Sequence, residues 1–173
     1  MIFYKKKIII QALIILFYIS KALANESEPY YVTGLVEYGF IGNPGVTAPT
    51  SGSITYGFGI NAGYEFNEYL AVDVGSNFIP SNLGSLMVND VALRASLPFG
   101  NFASGFIHMG PGYIVNTNDA NLENSLGIFM GIGALFDINT KLAISIEDQG
   151  IIPFENTNRY TVNMVTTGFV YGF

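Results

Sequence analysis

The sequence predicts an all-β protein: an eight-stranded antiparallel transmembrane β-barrel of the up-and-down kind, preceded by a cleavable signal peptide. Three observations point there. Eight stretches alternate apolar residues with small or polar ones, the period of a strand whose two faces meet different media. The connections between them are short, then long, in regular succession. A basic, then apolar, then small-residue leader stands at the front.

The leader runs from Lys5-Lys6-Lys7 through the apolar stretch 8–19 to Ala22-Leu23-Ala24, the layout of a secretory signal peptide. Its apolar part is too short to cross a hydrocarbon core of about 30 Å as a helix. Cleavage after Ala24 divides the chain into a signal peptide, 1–24, and a barrel domain, 25–173. There is no cysteine, which excludes a lipidated N-terminal cysteine, disulfides and thiolate metal sites.

Four of the seven basic residues (Lys5, Lys6, Lys7 and Lys21) lie in the leader, leaving Arg94, Lys141 and Arg159. All thirteen acidic residues follow it, so the remainder carries a net charge of −10. Nucleic acid, whose phosphates need basic partners, is therefore not an expected ligand. Charged residues are nonetheless few and apolar ones make up 50% of the chain, unlike a disordered acidic tail.

The strands follow in order. Residues 30–41 set Val32, Val36, Tyr38 and Phe40 against Thr33, Glu37 and Gly39. Residues 54–66 place Ile54, Tyr56, Phe58, Ile60, Ala62, Tyr64 and Phe66 on one face, with Thr55, Gly57, Gly59, Asn61, Gly63 and Glu65 on the other. Such a length suits a tilted membrane strand. Residues 69–78 set Leu70, Val72 and Val74 against Ala71, Asp73, Gly75 and Asn77. Residues 88–97 oppose Val91, Leu93, Ala95 and Leu97 to Asp90, Ala92, Arg94 and Ser96. In 103–115, Ile107, Met109 and Tyr113 face away from His108, Gly110 and Gly112. In 125–137, Leu126, Ile128, Met130, Ile132 and Phe136 stand opposite Gly127, Gly131, Gly133 and Asp137. The seventh strand, 141–148, sets Leu142, Ile144 and Ile146 against Ala143, Ser145 and Glu147. The eighth, 159–173, ends with Phe169, Tyr171 and Phe173 opposite Gly168 and Gly172.

An even strand number is what a single-chain bacterial barrel requires. Tight turns fall at Asn67-Glu68, 98–101 and 138–140, and longer segments at 42–52, 79–87, 116–124 and 149–158. The longer ones are rich in Asn, Pro, Gly, Ser and Thr, which favour turns. Short periplasmic turns and longer extracellular loops have this rhythm. Closure removes every unpaired edge from the hydrocarbon.

Thr167-Gly168-Phe169-Val170-Tyr171-Gly172-Phe173 resembles the C-terminal assembly signal of bacterial outer-membrane barrels. Residues 63–75 are similar to the second hairpin of the OmpA/OmpX-type eight-stranded barrels, and 93–100 and 108–113 to that family's fourth and fifth strands. The resemblance covers essentially the whole barrel domain. It implies a bacterial outer-membrane location reached by export and contact with outer-membrane lipids and lipopolysaccharide. It also implies handling by periplasmic chaperones and by the barrel-assembly machinery, which would read Thr167, Gly168, Phe169, Tyr171 and Phe173. It implies no cofactor, metal or catalytic residue. A non-enzymatic role in envelope integrity follows, with adhesion to a host-surface ligand through the loops. The chain stops at strand eight, so the peptidoglycan-holding role of larger relatives is not carried over.

The ionisable residues on the polar faces are Glu37, Glu65, Asp73, Asp90, Arg94, His108, Asp137 and Glu147. An eight-stranded barrel encloses little beyond its own side chains, so desolvated charges there must pair or neutralise. Arg94 is the only inward guanidinium, with Asp73 and Glu147 its natural partners; in the family, charged side chains at the positions of Asp73 and Arg94 belong to a plug network. Glu37, Glu65, Asp73, Arg94, His108 and Glu147 are thus a lumen polar network: a structural cluster, or alternatively the gate of a narrow pore. The surplus of acids requires that some take up protons or sit near the wetter barrel ends.

His108 is the only histidine, which excludes a multi-histidine metal cage. Barrel enzymes that modify lipid A use a histidine with Ser or Asp neighbours at the lipid side. Alternation puts His108 on the lumen face instead, with no serine evidently placed to meet it. The strand glycines lack a nucleotide-loop pattern and are better explained by lumen space. Tyr38, Phe40, Tyr64, Phe66, Tyr69, Phe78, Tyr113, Phe136 and Phe173 fall near strand ends, as interfacial girdles do.

Overall fold

The computed structural model describes residues 29–42, 53–80, 85–117, 124–154 and 161–173. The leader, the side chain of Phe40, Arg159 and most of the four longer connections lie outside the described residues. Within them, eight strands close a barrel: β1 (Tyr30–Gly42), β2 (Ser53–Asn67), β3 (Leu70–Ile79), β4 (Leu86–Pro98), β5 (Ala103–Asn116), β6 (Ser125–Asp137), β7 (Leu142–Pro153) and β8 (Thr161–Gly172). Each pairs antiparallel with its chain neighbour, and β8 returns to β1. The fold and the expected faces agree with the sequence pattern. Val36, Tyr38, Ile54, Tyr56, Phe58, Ile60, Leu93, Ile107, Ile132 and Phe169 point outward, while Glu37, Asp73, Arg94, His108 and Glu147 are buried.

β7 continues to Pro153 rather than ending at Asp148. Beyond Asp148 the alternation persists, but its contrast fades: Ile151 turns inward and is buried beside the outward Ile152, and the outward Gly150 carries no side chain. A reading that equates inward with polar loses the strand there. β4 likewise begins two residues early, with Leu86 buried.

Each tight turn has a local cause. The Asn67 side chain accepts hydrogen bonds from the N–H groups of Tyr69 (2.8 Å) and Leu70 (3.0 Å). Asn139 does the same for Lys141 (2.9 Å) and Leu142 (3.0 Å). These side chains substitute for backbone acceptors where the chain reverses. Between β4 and β5, Gly100 takes a φ of +78°, the left-handed region that costs glycine nothing.

Register fixes the barrel's shape. One row of partners climbs from Leu70 through Ala95, Ile107, Ile132, Asp148, Val165 and Tyr38 to Tyr56. The β2–β3 register, with Phe58 opposite Phe78, brings that row back to β3 beside Pro80. The stagger around the barrel is therefore ten residues, which tilts eight strands by roughly 40° and makes β3 about 25 Å tall.

Aromatic side chains mark both rims. At the turn end, Tyr30 meets Tyr64 edge-on (5.1 Å) and stacks with Phe173 (6.3 Å), which in turn stacks with Tyr171 (6.4 Å). At the loop end, Tyr38 packs on Tyr56 (5.3 Å) and Phe58 on Phe78 (5.4 Å).

Candidate functional site

Among the described residues the chemistry-bearing side chains converge in the barrel interior, which is layered from the turn end upward. In the lowest layer Arg94 of β4 forms an ion pair with Glu65 of β2, Nη2 to Oε1 at 2.8 Å. Its guanidinium also lies 4.6 Å from the centre of the Tyr31 ring and 5.6 Å from that of Phe106. The Glu65 side chain is 42% exposed and that of Arg94 only 7%, so the pair spans the boundary between lumen and turn-end water. The expected ionic partners, Asp73 and Glu147, do not take this role. Register decides the matter: Glu65 pairs with Ala71 and Ala71 with Arg94, so one row across β2, β3 and β4 sets Glu65 beneath Arg94.

Above this, His108 Nε2 stands 3.6 Å from Glu147 Oε2, with both side chains buried. The imidazole meets the rings of Phe106 (5.8 Å) and Phe129 (5.0 Å) edge-on. Gly131 is its cross-strand neighbour, and a Cβ there would run into Nε2 of His108. The glycine thus makes room for the ring, and Gly63 does the same for Tyr31. Asp73, Asn61 and Ser145 border the same small cavity, of about 20 Å³. That volume holds a single water at most. Ser145 therefore shares an enclosure with His108 and Glu147, which the sequence pattern did not reveal because serine and histidine sit on separate strands.

The next layer holds Glu37, whose Oε1 accepts from Gln149 Nε2 at 3.5 Å. Asn77 and Asp90 are buried nearby on β3 and β4. Several polar atoms at these levels, including Asp73 Oδ1, Asp90 Oδ1 and Gln149 Oε1, have no protein partner. Asp137, by contrast, is exposed at the turn end, beside Glu65 and Lys141 around the mouth of the lumen. Among the described residues no group of three or more His, Cys, Asp or Glu side chains is arranged to hold a metal ion.

At the loop end the interior changes character. Ile79, Leu86, Val88, Ile114, Phe129, Ile151, Val162 and Met164 form one apolar cluster, each at most 5% exposed. Sequence reasoning missed this plug because its residues occupy inward positions expected to be polar. The signal was the apolar pair Ile151 and Ile152, one of which must face inward, and the inward apolar pair Leu86 and Val88.

The residues of the C-terminal motif lie along β8 and its end. Thr167, Phe169, Tyr171 and Phe173 are on the outer face. Gly168 is buried opposite them, where a Cβ would press on Leu35 and Ser145. The Thr167 hydroxyl donates to the Ser145 carbonyl at 3.2 Å.

Residues 9–173 match the family described as the outer membrane protein beta-barrel domain. No curated protein matches the sequence. Among solved structures, Neisserial surface protein A superposes with a TM-score of 0.69 at 12% identity, over 83% of this chain and 97% of that one. Ail, the attachment invasion locus protein of Yersinia pestis, gives 0.61 at 13% identity, over 85% and 99%. The outer membrane protein OprG of Pseudomonas aeruginosa gives 0.58 at 12% identity, over 87% and 98%. At these identities the likeness is one of fold.

Proposed function

The chain belongs to the outer membrane protein beta-barrel domain family, and from that premise we propose that it is a non-enzymatic outer-membrane anchor, which holds four loops at the cell surface and contributes to envelope integrity. The observation that carries this reading is the apolar plug. Polar atoms extend from the turn-end mouth to Glu37 and Gln149, and then Ile79, Val88, Ile151, Val162 and Met164 fill the interior. Ions would have to leave water to pass them, which favours an anchor over a pore. The cavity beside His108 is too small for a substrate and opposes a lipid-modifying role. The four longer connections, at the end opposite the tight turns, face outside the cell in this reading. Adhesion through them draws on the fold shared with a protein named for attachment and invasion.

Purified protein in planar bilayers should be electrically silent, with Arg94→Ala and Asp73→Ala equally silent. Steady conductance altered by either change would replace the anchor with a narrow pore. A gene deletion should make the envelope leakier to detergent or reduce attachment to host cells. A mutant indistinguishable from its parent in both would remove the proposed role.

A further inference from the structure

Among the described residues the outer face carries one ionisable side chain at mid-height. Asp148 follows the inward Glu147 and is exposed on the outer face of β7. Its level follows from register: the row that leaves Leu70 at the turn end reaches Asp148 in four strand steps. Four more return it to β3 beside Pro80 at the loop end. The carboxyl is therefore halfway up a wall about 25 Å tall, flanked by Ile132 on β6 and Val165 on β8. Among the described residues no hydrogen bond or ion pair reaches it. Hydrocarbon offers no donor, and a side chain with one methylene cannot stretch to the headgroups as lysine and arginine do. An ionisable group at this depth calls for a partner within the membrane.

We propose that the β7–β8–β1 face is the interface of a symmetric dimer, in which Asp148 of each copy accepts a hydrogen bond from the Tyr38 phenol of the second copy. Asp148, Val165 and Tyr38 are successive partners in one row. A two-fold axis along the membrane normal through Val165 sets Asp148 of one copy against Tyr38 of the other, and the reverse. Such reciprocity defines an isologous contact. The row climbs about 3 Å per strand at this tilt, so Tyr38 starts about 6 Å above Asp148. A tyrosine leaning along its strand covers that distance. The receiving surface is already concave: a groove of about 460 Å³ surrounds Asp148, bordered by Met130, Ile132, Gly150, Ile152 and Asn163. Tyr38 is 49% exposed and Val165 54%, so both are free to meet a second copy. The proposal rests on the barrel being embedded in the membrane.

The chain has no cysteine, so a single introduced thiol reports the interface without background. Val165→Cys in the full-length protein, expressed in outer membranes and oxidised there, should give a disulfide dimer at least tenfold above Leu93→Cys, an outward position on the far wall. Adding Asp148→Leu or Tyr38→Phe should each cut that yield several-fold, and together no more than either alone. Heat-modifiable mobility of the same samples reports the folded barrel, separating loss of the barrel from loss of the dimer. Equal crosslinking at Val165→Cys and Leu93→Cys in folded barrels would overturn the dimer. So would a yield untouched by Asp148→Leu, or a Val165→Cys adduct with a protein of another size.

Discussion

The ring of Phe173 stacks on Tyr30 at 6.3 Å while its N–H donates to the Tyr30 carbonyl at 2.9 Å, joining the last residue to the first strand at the seam that closes the barrel. Deleting Phe173 removes its ring contacts with Tyr30 and Tyr171, about 0.5 kcal/mol each at this exposed rim, and a hydrogen bond of about 1 kcal/mol. A finished barrel bound by eight ladders absorbs that loss. If the terminal residues also act as an assembly signal, the folded fraction in cell membranes should fall several-fold. The same variant refolded in detergent should unfold within roughly 2 kcal/mol of its parent. A stability loss large enough to explain the missing yield would remove the assembly role.

The outward register can be tested at mid-height. Ile60 and Ile132 are 58% and 61% exposed on the outer face. Arginine at either should cost about 2–4 kcal/mol in a vesicle refolding titration. Arginine at Gly59 acts differently, because even a Cβ there meets the Asn77 side chain inside the barrel. Its cost should persist in detergent micelles of any thickness, whereas that of Ile132→Arg should shrink as the apolar belt is thinned. A neutral Ile60→Arg would reverse the assignment of faces.

Arg94 and Glu65 should respond unequally to truncation. Glu65 is partly in water, so Glu65→Gln should cost about 1 kcal/mol or less after screening. Arg94→Ala strips a buried guanidinium from Glu65 and from the faces of Tyr31 and Phe106. It also leaves the interior acids without the buried Arg94 guanidinium, and should cost about 3 kcal/mol. Denaturant titrations in lipid vesicles would measure both, and equal costs would contradict this division.

Gly131 and His108 should be coupled. Gly131→Ala drives a methyl into the imidazole and should destabilise by about 1–3 kcal/mol. In the background of His108→Ala the added methyl finds space, and most of that penalty should vanish. A double-mutant cycle reads the coupling directly. Additive effects would mean that Gly131 is present for another reason.

The sequence by itself determined the strand number, the antiparallel order, and which residues face the lumen. These depend on a local rule, since a period of two assigns each side chain a face as soon as the strand exists. Lumen glycines were legible for the same reason, although only the structure says that Gly131 faces His108 and Gly63 faces Tyr31. Height within the wall is different. It depends on the ten-residue stagger, which is the sum of all eight pairings and cannot be read from any one strand. Pairing between neighbouring strands therefore chose Glu65 over Asp73 and Glu147 as the partner of Arg94, and brought His108, Ser145 and Glu147 around one cavity. It stacked the inward apolar residues of β3 through β8 into a plug, and carried Asp148 to the middle of the outer wall.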